Sequence, residues 1–332
     1  MGGLLALLVA FVLSFGFGLL YVILLYWMDR FEKEPKLLVT AVFLWGALVA
    51  TIGAVIIELV FDVGFAIVSP SELIRGLLGA SIGAPLAEEA LKSLAVLLVF
   101  LLFRKEFDSI LDGIIYAGVV ALGFAATENV LYLLGNYVEN GWGGLFALFF
   151  IRVILGGWAH PLYTSFCGMG LAMARMSRNI AVKIFAPLAG LAVGMFLHGL
   201  NNGILVVGNS LGALGTVTVI EWGGWLFVFA VMLWAQRRES QWAKKYLLEE
   251  LQHNYISAAQ YATAASAWKQ FWLGTQALFS GRYRATSRFY QVCGELVHKK
   301  HQVDTLGDEG GYTAIIQKLR DELARLTPVA LA

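Results

Sequence analysis

Two adjacent glutamates, a third glutamate and two histidines stand deep inside otherwise apolar stretches of this chain, and their depths agree. Glu88 and Glu89 lie 16 and 15 residues before Arg104, and Glu128 lies 16 after Asp112. His160 lies 15 before Arg175, and His198 lies 15 after Lys183. If each charged reference residue marks one membrane edge, a rise of about 1.5 Å per residue puts all five groups roughly 22–24 Å from it. A bilayer's hydrocarbon core is about 30 Å thick. Ionisable groups at that depth are costly and face a protein interior or a water-filled cavity. Carboxylates and imidazoles sharing one layer have the make-up of a hydrolytic site.

Each group sits in a short motif. In Glu88-Glu89-x-x-Lys92 the lysine is one turn from both acids, so it can pair with either. Helical neighbours point about 100° apart, so only one glutamate can squarely face a given cavity. The plain alternative is a helix-entry patch held by an ion pair. Glu128-Asn129 closes an apolar run in which Gly118 and Gly123 permit close helix approach. Its plain alternative is a structural carboxylate bonded to a neighbour such as Arg152. His160 has Thr164 one turn on, and His198 is followed by Asn201 and Asn202. Histidine serves as acid, base or metal ligand, and asparagine can donate to an oxyanion. A lone membrane histidine is more often structural. Two of them level with three glutamates reverse that weighting.

The elements that must position these residues are apolar helices. The chain has 332 residues, 59% hydrophobic and 14% charged, against about a quarter charged in soluble domains. Long apolar runs predict seven spans, near 3–28, 37–61, 84–103, 111–135, 157–175, 181–207 and 214–235. The first run has no basic leader and is too long for a signal-peptide core, so it reads as a retained span. Residues 143–155 are too short to cross, and read as an interfacial or re-entrant helix or an extension of the fifth span. Lys and Arg alternate between loops: they are frequent after spans one, three, five and seven, and sparse elsewhere. That bias predicts an external N-terminus and a cytoplasmic tail in the cell membrane, with the acid–histidine layer in the outer half.

Charge divides the chain. Residues 1–235 carry a net −3 and residues 236–332 a net +4. The prediction is an all-α polytopic membrane bundle, 1–235, followed by a small helical cytoplasmic tail domain, 236–332, of three or four helices. Gly281, the stretch 304–311 and Pro328 punctuate that tail. A net charge of +1 gives no global basic field for nucleic acid. The two cysteines, Cys167 and Cys293, have no CxxC spacing, so no disulfide framework or thiolate zinc site is expected.

Taken in order, Glu88-Glu89-x-x-Lys92, Phe124-Ala-x-x-Glu128-Asn129, the His160 helix and His198-x-x-Asn201-Asn202 resemble the PrsW family of intramembrane proteases. That family is similar in turn to the prenyl endopeptidase and bacteriocin-processing group of membrane proteases. The resemblance covers residues 15–235 and leaves the tail unmatched. Glu128-Asn129 stands where the prenyl proteases have histidine, which favours PrsW. The resemblance implies peptide hydrolysis within or beside the membrane, acting on a single-span, anti-sigma-factor-like protein near its outer side.

Two readings of the chemistry stay open. Glu88 or Glu89 activates a water, His160 or His198 moves protons, and Asn201 or Asn202 binds the oxyanion, with Lys92, Asn129 and Thr164 in support. Alternatively His160, His198 and Glu128 hold a divalent metal such as zinc, and a second glutamate is the base. A rival of another class is a proton-coupled transporter or channel using the same residues as a relay. The lipid bilayer is a partner in every reading. The tail is expected to bind a cytosolic partner or regulate.

Overall fold

The computed structural model describes residues 2–208, 210–308 and 311–331, and every regular element among them is helical. The elements are α1 (Gly2–Met28), α2 (Lys36–Leu44), α3 (Thr51–Val68), α4 (Glu72–Leu78), α5 (Ala84–Leu102), α6 (Ile110–Phe149), α7 (Ala159–Met176), α8 (Ile180–Gly208) and α9 (Leu211–Tyr246). After them come α10 (Leu248–Gln252), α11 (Ala258–Ala264), α12 (Ala267–Phe279), α13 (Tyr283–Leu306) and α14 (Tyr312–Leu326). Six of the seven expected spans each fall on one of these helices, and 37–61 runs over α2, the π-helical Trp45–Ala50 and α3. Among the described residues, five stretches are long and apolar enough to cross a membrane: Gly2–Met28, Lys36–Val68, Ile110–Met176, Ile180–Gly208 and Leu211–Gln252. The stretch Ile110–Met176 contains two of the expected spans. Helix α5 falls outside this set; within its 19 residues it carries Glu88, Glu89 and Lys92.

The chain forms two compact units. The first holds residues 1–25, 35–175 and 179–230; the second holds 26–34, 176–178 and 231–332. The second unit thus takes in Tyr26–Glu34, the last residues of α1 and the start of the loop after it, which a division at 235/236 leaves with the spans.

Helix α6 is the axis of the first unit. Its residues 111–126 are buried on every side, as a helix apolar all round should be. Its start is fixed by a capping box. Leu111 and Asp112 donate backbone N–H to Ser109 Oγ, and Asp112 accepts from the backbone of Asp108 and Ser109 at 2.7 Å. Close packing depends on missing side chains. A Cβ on Gly123 would lie 2.1 Å from Phe43 O, and Gly113 and Gly168 face each other with 2.3 and 2.0 Å to the opposite carbonyl. Gly118 would meet only the flexible Leu25 side chain, at 2.7 Å.

Past Glu128 the chain turns back. Gly141 breaks α6 with φ 63° and ψ −158°, and Leu145, beyond the break, packs with Leu133, before it. Residues 143–155 therefore fold back along the second half of α6. Their end, Phe150–Leu155, is π-helical, as are Trp45–Ala50 and Gly79–Gly83. Each widened turn has a carbonyl that accepts from a distant side chain. Thr127 donates to Ala47 O, Asn202 to Ala80 O, Tyr21 to Val153 O and Trp222 to Leu155 O, at 2.7–3.1 Å. Such partners are required where no bulk water reaches.

The second unit has its own core, built on Phe31, Leu247, Phe289, Val292, Leu296 and Leu323. Among the described residues five helices follow α9, one more than the upper expectation, because short α10 and α11 fall below the length at which hydrophobic periodicity is readable. The punctuation falls where expected: Gly281 (φ 72°) and Gly307 (φ 87°) bound α13, and Pro328 follows α14.

Candidate active site

The motif residues converge. Glu88, Glu89, His160 and His198 each present a ligand-type atom within 4.8 Å of the others. They come from α5, α7 and α8. Glycines bring α8 in. On its packed face Gly190, Gly194 and His198 repeat every four residues, and Cβ atoms on the two glycines would lie 2.1 and 2.4 Å from α7 carbonyls. Gly199 gives the same clearance against Ser81 O at 2.2 Å.

The two glutamates have different surroundings. Glu89 is 1% exposed and its oxygens are fully engaged. Its Oε1 lies 2.6 Å from Lys92 Nζ and 3.0 Å from His198 Nδ1, and its Oε2 accepts from Thr164 Oγ1 at 2.8 Å. Glu88 lines a cavity of about 700 Å³. Lys92 does not choose between them, as either-or pairing would require. It is fully buried, donates to Glu88 Oε2 at 3.1 Å as well as to Glu89, stands 3.3 Å from His160 Nδ1 and lies over the Phe124 ring. The fixed ammonium offsets two carboxylates that burial alone would keep neutral.

Glu128 reaches the cavity from α6. Its Oε2 lies 2.9 Å from His160 Nε2 and 2.9 Å from the Arg152 guanidinium. Arg152 also donates through Nε to Asn129 Oδ1 at 3.0 Å. The fold-back after Gly141 is what brings Arg152 beside residues 23 and 24 positions earlier. Asn201 and Asn202 also line the cavity. Asn202 donates to Ala80 O, and Asn201 donates to Asn202 Oδ1 at 3.4 Å. Lys92, Glu89 and Thr164 stand behind this wall and do not line it.

Tyr163 and Glu221 are among the cavity residues that had no role in the sequence reading. Tyr163 stacks on His198, ring centroids 4.8 Å apart, and donates its hydroxyl to Glu221 at 3.2 Å. Their signal was present: Tyr163 lies inside the His160 motif, and Glu221 is the lone acid of an apolar run.

The donors fit a divalent metal, though not as expected. His160 Nδ1 and His198 Nε2 lie 3.8 and 3.9 Å from Glu88 Oε2. Two imidazoles and one carboxylate form a catalytic zinc donor set. The far nitrogens meet Glu128 and Glu89, the carboxylate–imidazole contact that orients metal-binding histidines. Glu128 therefore stands behind His160, outside the four-residue group, where the sequence reading made it a ligand. Lys92 already places a positive charge on two of the same acceptor atoms.

Buried carboxylates and imidazoles around a cavity, inside an apolar helix bundle, define a membrane-embedded hydrolase. Comparison with known proteins narrows the class. The PrsW family intramembrane metalloproteases match residues 34–236, and the chain belongs to that family. It is 29% identical to Protease PrsW of Geobacillus kaustophilus over 222 residues, 67% of this chain and 86% of that protein. Protease PrsW of Bacillus subtilis is 30% identical over 212 residues, 63% and 83% of the two chains. That of Clostridioides difficile is 28% identical over 183 residues, 54% and 71%. No solved structure matches the chain. The protein is an intramembrane peptidase, and most of its second unit lies outside the family match.

Proposed function

We propose that this peptidase cleaves single-span, anti-sigma-factor-like membrane proteins in the outer half of the bilayer, with seven spans, an external N-terminus and a cytoplasmic tail. The observation that carries the reading is the convergence of Glu88, Glu89, His160 and His198 within 4.8 Å of one another, three of them on the wall of one cavity. A proton relay would space such groups along the membrane normal, so this gathering favours hydrolysis over transport.

Glu88 is the base. It alone of the glutamate pair lines the cavity, and it takes a proton from a water as that water's oxygen attacks the scissile carbonyl carbon. His160 and His198 flank Glu88 and pass the proton to the departing amide nitrogen. Glu128 and Glu89 hold the two imidazoles in orientation, and Thr164 and Lys92 hold Glu89. Asn201, steadied by Asn202, donates to the developing oxyanion. Arg152 and Asn129 fix Glu128. If Glu88, His160 and His198 instead held a divalent ion, that ion would replace Glu88 in activating the water, by Lewis-acid polarisation of the carbonyl and a lowered water pKa.

The test is cleavage of single-span proteins by the purified full chain in vesicles, with and without chelator and with Glu88→Gln. Cleavage abolished by Glu88→Gln supports the reading, and its arrest by chelator with recovery on adding zinc assigns the metal. Undiminished cleavage by the variant removes Glu88 from the chemistry.

A further inference from the structure

Helix α12 presents two opposite apolar faces, and the unit's own core uses one. Leu273 and Ala277 are buried in the core of the second unit. The opposite side carries Trp268, Phe271, Trp272, Leu278 and Phe279 at helical spacing. Trp268 is 68%, Trp272 55% and Phe279 86% exposed. Exposed aromatic stripes of this kind mark an interaction surface.

The surroundings of the stripe say what covers it. Phe271 meets Trp27 edge-on, ring centroids 5.7 Å apart. Trp27 lies in the last turn of α1, a helix long and apolar enough to cross a membrane. The Arg30 guanidinium sits 3.7 Å over the Trp27 ring and 5.3 Å from that of Phe271. Trp27 also ends an exposed apolar row of α1 that runs through Leu20 and Ile23. The α12 stripe therefore begins against the terminal tryptophan of a spanning helix, at the level where aromatic and arginine side chains occupy the headgroup boundary. Lys269, Arg282 and Arg284 flank it and are exposed, as suits anionic headgroups.

We propose that α12 is an in-plane interfacial helix whose face Trp268–Trp272–Phe279 is immersed in the lipid boundary at the Trp27 end of α1. It holds the second unit against the bilayer as a second attachment beside the spanning helices. The occupant is lipid, and no protein partner is required.

The test uses the full chain reconstituted in phosphatidylcholine–phosphatidylglycerol vesicles. Trp272→Cys, Phe279→Cys and, as a solvent-facing control, Thr313→Cys are labelled with an environment-sensitive fluorophore; native Cys167 and Cys293 are buried. Labels at 272 and 279 are expected to emit blue-shifted and to lose most of their fluorescence to shallow nitroxide lipids, while the label at 313 does neither. In the unsubstituted chain, a photoreactive phospholipid should place adducts within 267–279 and none within 312–326. Water-like emission at 272 and 279, or shielded labels that lipid quenchers do not reach, would overturn the proposal, the second outcome pointing to a protein partner or a second copy.

Discussion

Lys92 determines what can be changed at the residue scale. It bonds both glutamates from a fully buried position, yet the two carboxylates differ in what else they hold. Glu88→Gln keeps a hydrogen-bond acceptor for Lys92 and leaves Glu89 charged. It is expected to fold normally and to lose about 10²–10⁴-fold in kcat, the span of general-base catalysis. Glu89→Gln removes the charge that meets Lys92, His198 and Thr164 together. Breaking a buried pair costs about 3–5 kcal/mol, so that variant is expected to unfold at lower temperature as well as to lose activity. Thermal unfolding in detergent, measured beside cleavage, separates the two; equal unfolding temperatures would contradict the division of roles. These residues were legible in the sequence because charge inside an apolar run has few bland explanations. Which glutamate faces the cavity was not legible, since a change of about 100° around one helix depends on the neighbours that α7 and α8 supply.

At the scale of elements, the spans were readable and their irregularities were not. Apolar runs mark helices, but nothing in composition distinguishes the π turn at Gly79–Gly83 from the α-helix it interrupts. The return at Gly141 falls in the polar stretch 136–141, past the end of the expected span 111–135, so a break there was readable while the direction taken by 143–155 was not. The packing glycines are a stronger commitment. Gly123→Ala sets a methyl against a backbone carbonyl that cannot rotate away. It is expected to destabilise the first unit by about 1–3 kcal/mol or more. Gly118→Ala meets only the end of Leu25 and should cost less. Unfolding midpoints of the two variants in one detergent decide the order.

The loop between α1 and α2 carries a pH effect. Burial pushes Asp29 up to about 7, with Glu32 adding to the rise and Lys33 and His298 opposing it. Its Oδ2 has no hydrogen-bond partner. An unfolded aspartate titrates near 3.9, so between about 4 and 7 the folded state holds a proton that the unfolded state has released. A raised carboxyl pKa gives stability that is present below this window and lost as pH rises through it. Asp29→Asn removes the dependence and is expected to stabilise the second unit at pH 8 more than at pH 5. Cys293 reports the opening: burial pushes its thiol up, so it reacts only when the core is exposed. Alkylation of Cys293, compared between variant and parent at each pH, should slow in the variant more at pH 8 than at pH 5.

On the scale of the whole molecule, the question is whether the second unit belongs to the working peptidase. Every proposed site residue lies in the first unit. The family match ends at residue 236, near the charge change at 235/236 read from the sequence. A chain cut after Arg238 keeps Arg237 and Arg238 as an anchor for the last span. The cut has a consequence that sequence could not show, because Phe31 sits between spans yet is 3% exposed within the second unit's core. A Cβ on Gly294 would lie 1.7 Å from its carbonyl oxygen. Truncation bares that phenylalanine, whose burial is worth about 1.5–3 kcal/mol, and self-association through the segment Tyr26–Glu34 should follow. Phe31→Ser in the truncated chain is therefore expected to restore a monodisperse protein. That protein should cleave a model single-span substrate within about tenfold of the full chain, a barrier change of about 1.4 kcal/mol. If the truncated Phe31→Ser chain is monodisperse and folded but inert on every substrate that the full chain accepts, the second unit takes part in catalysis, and separability fails.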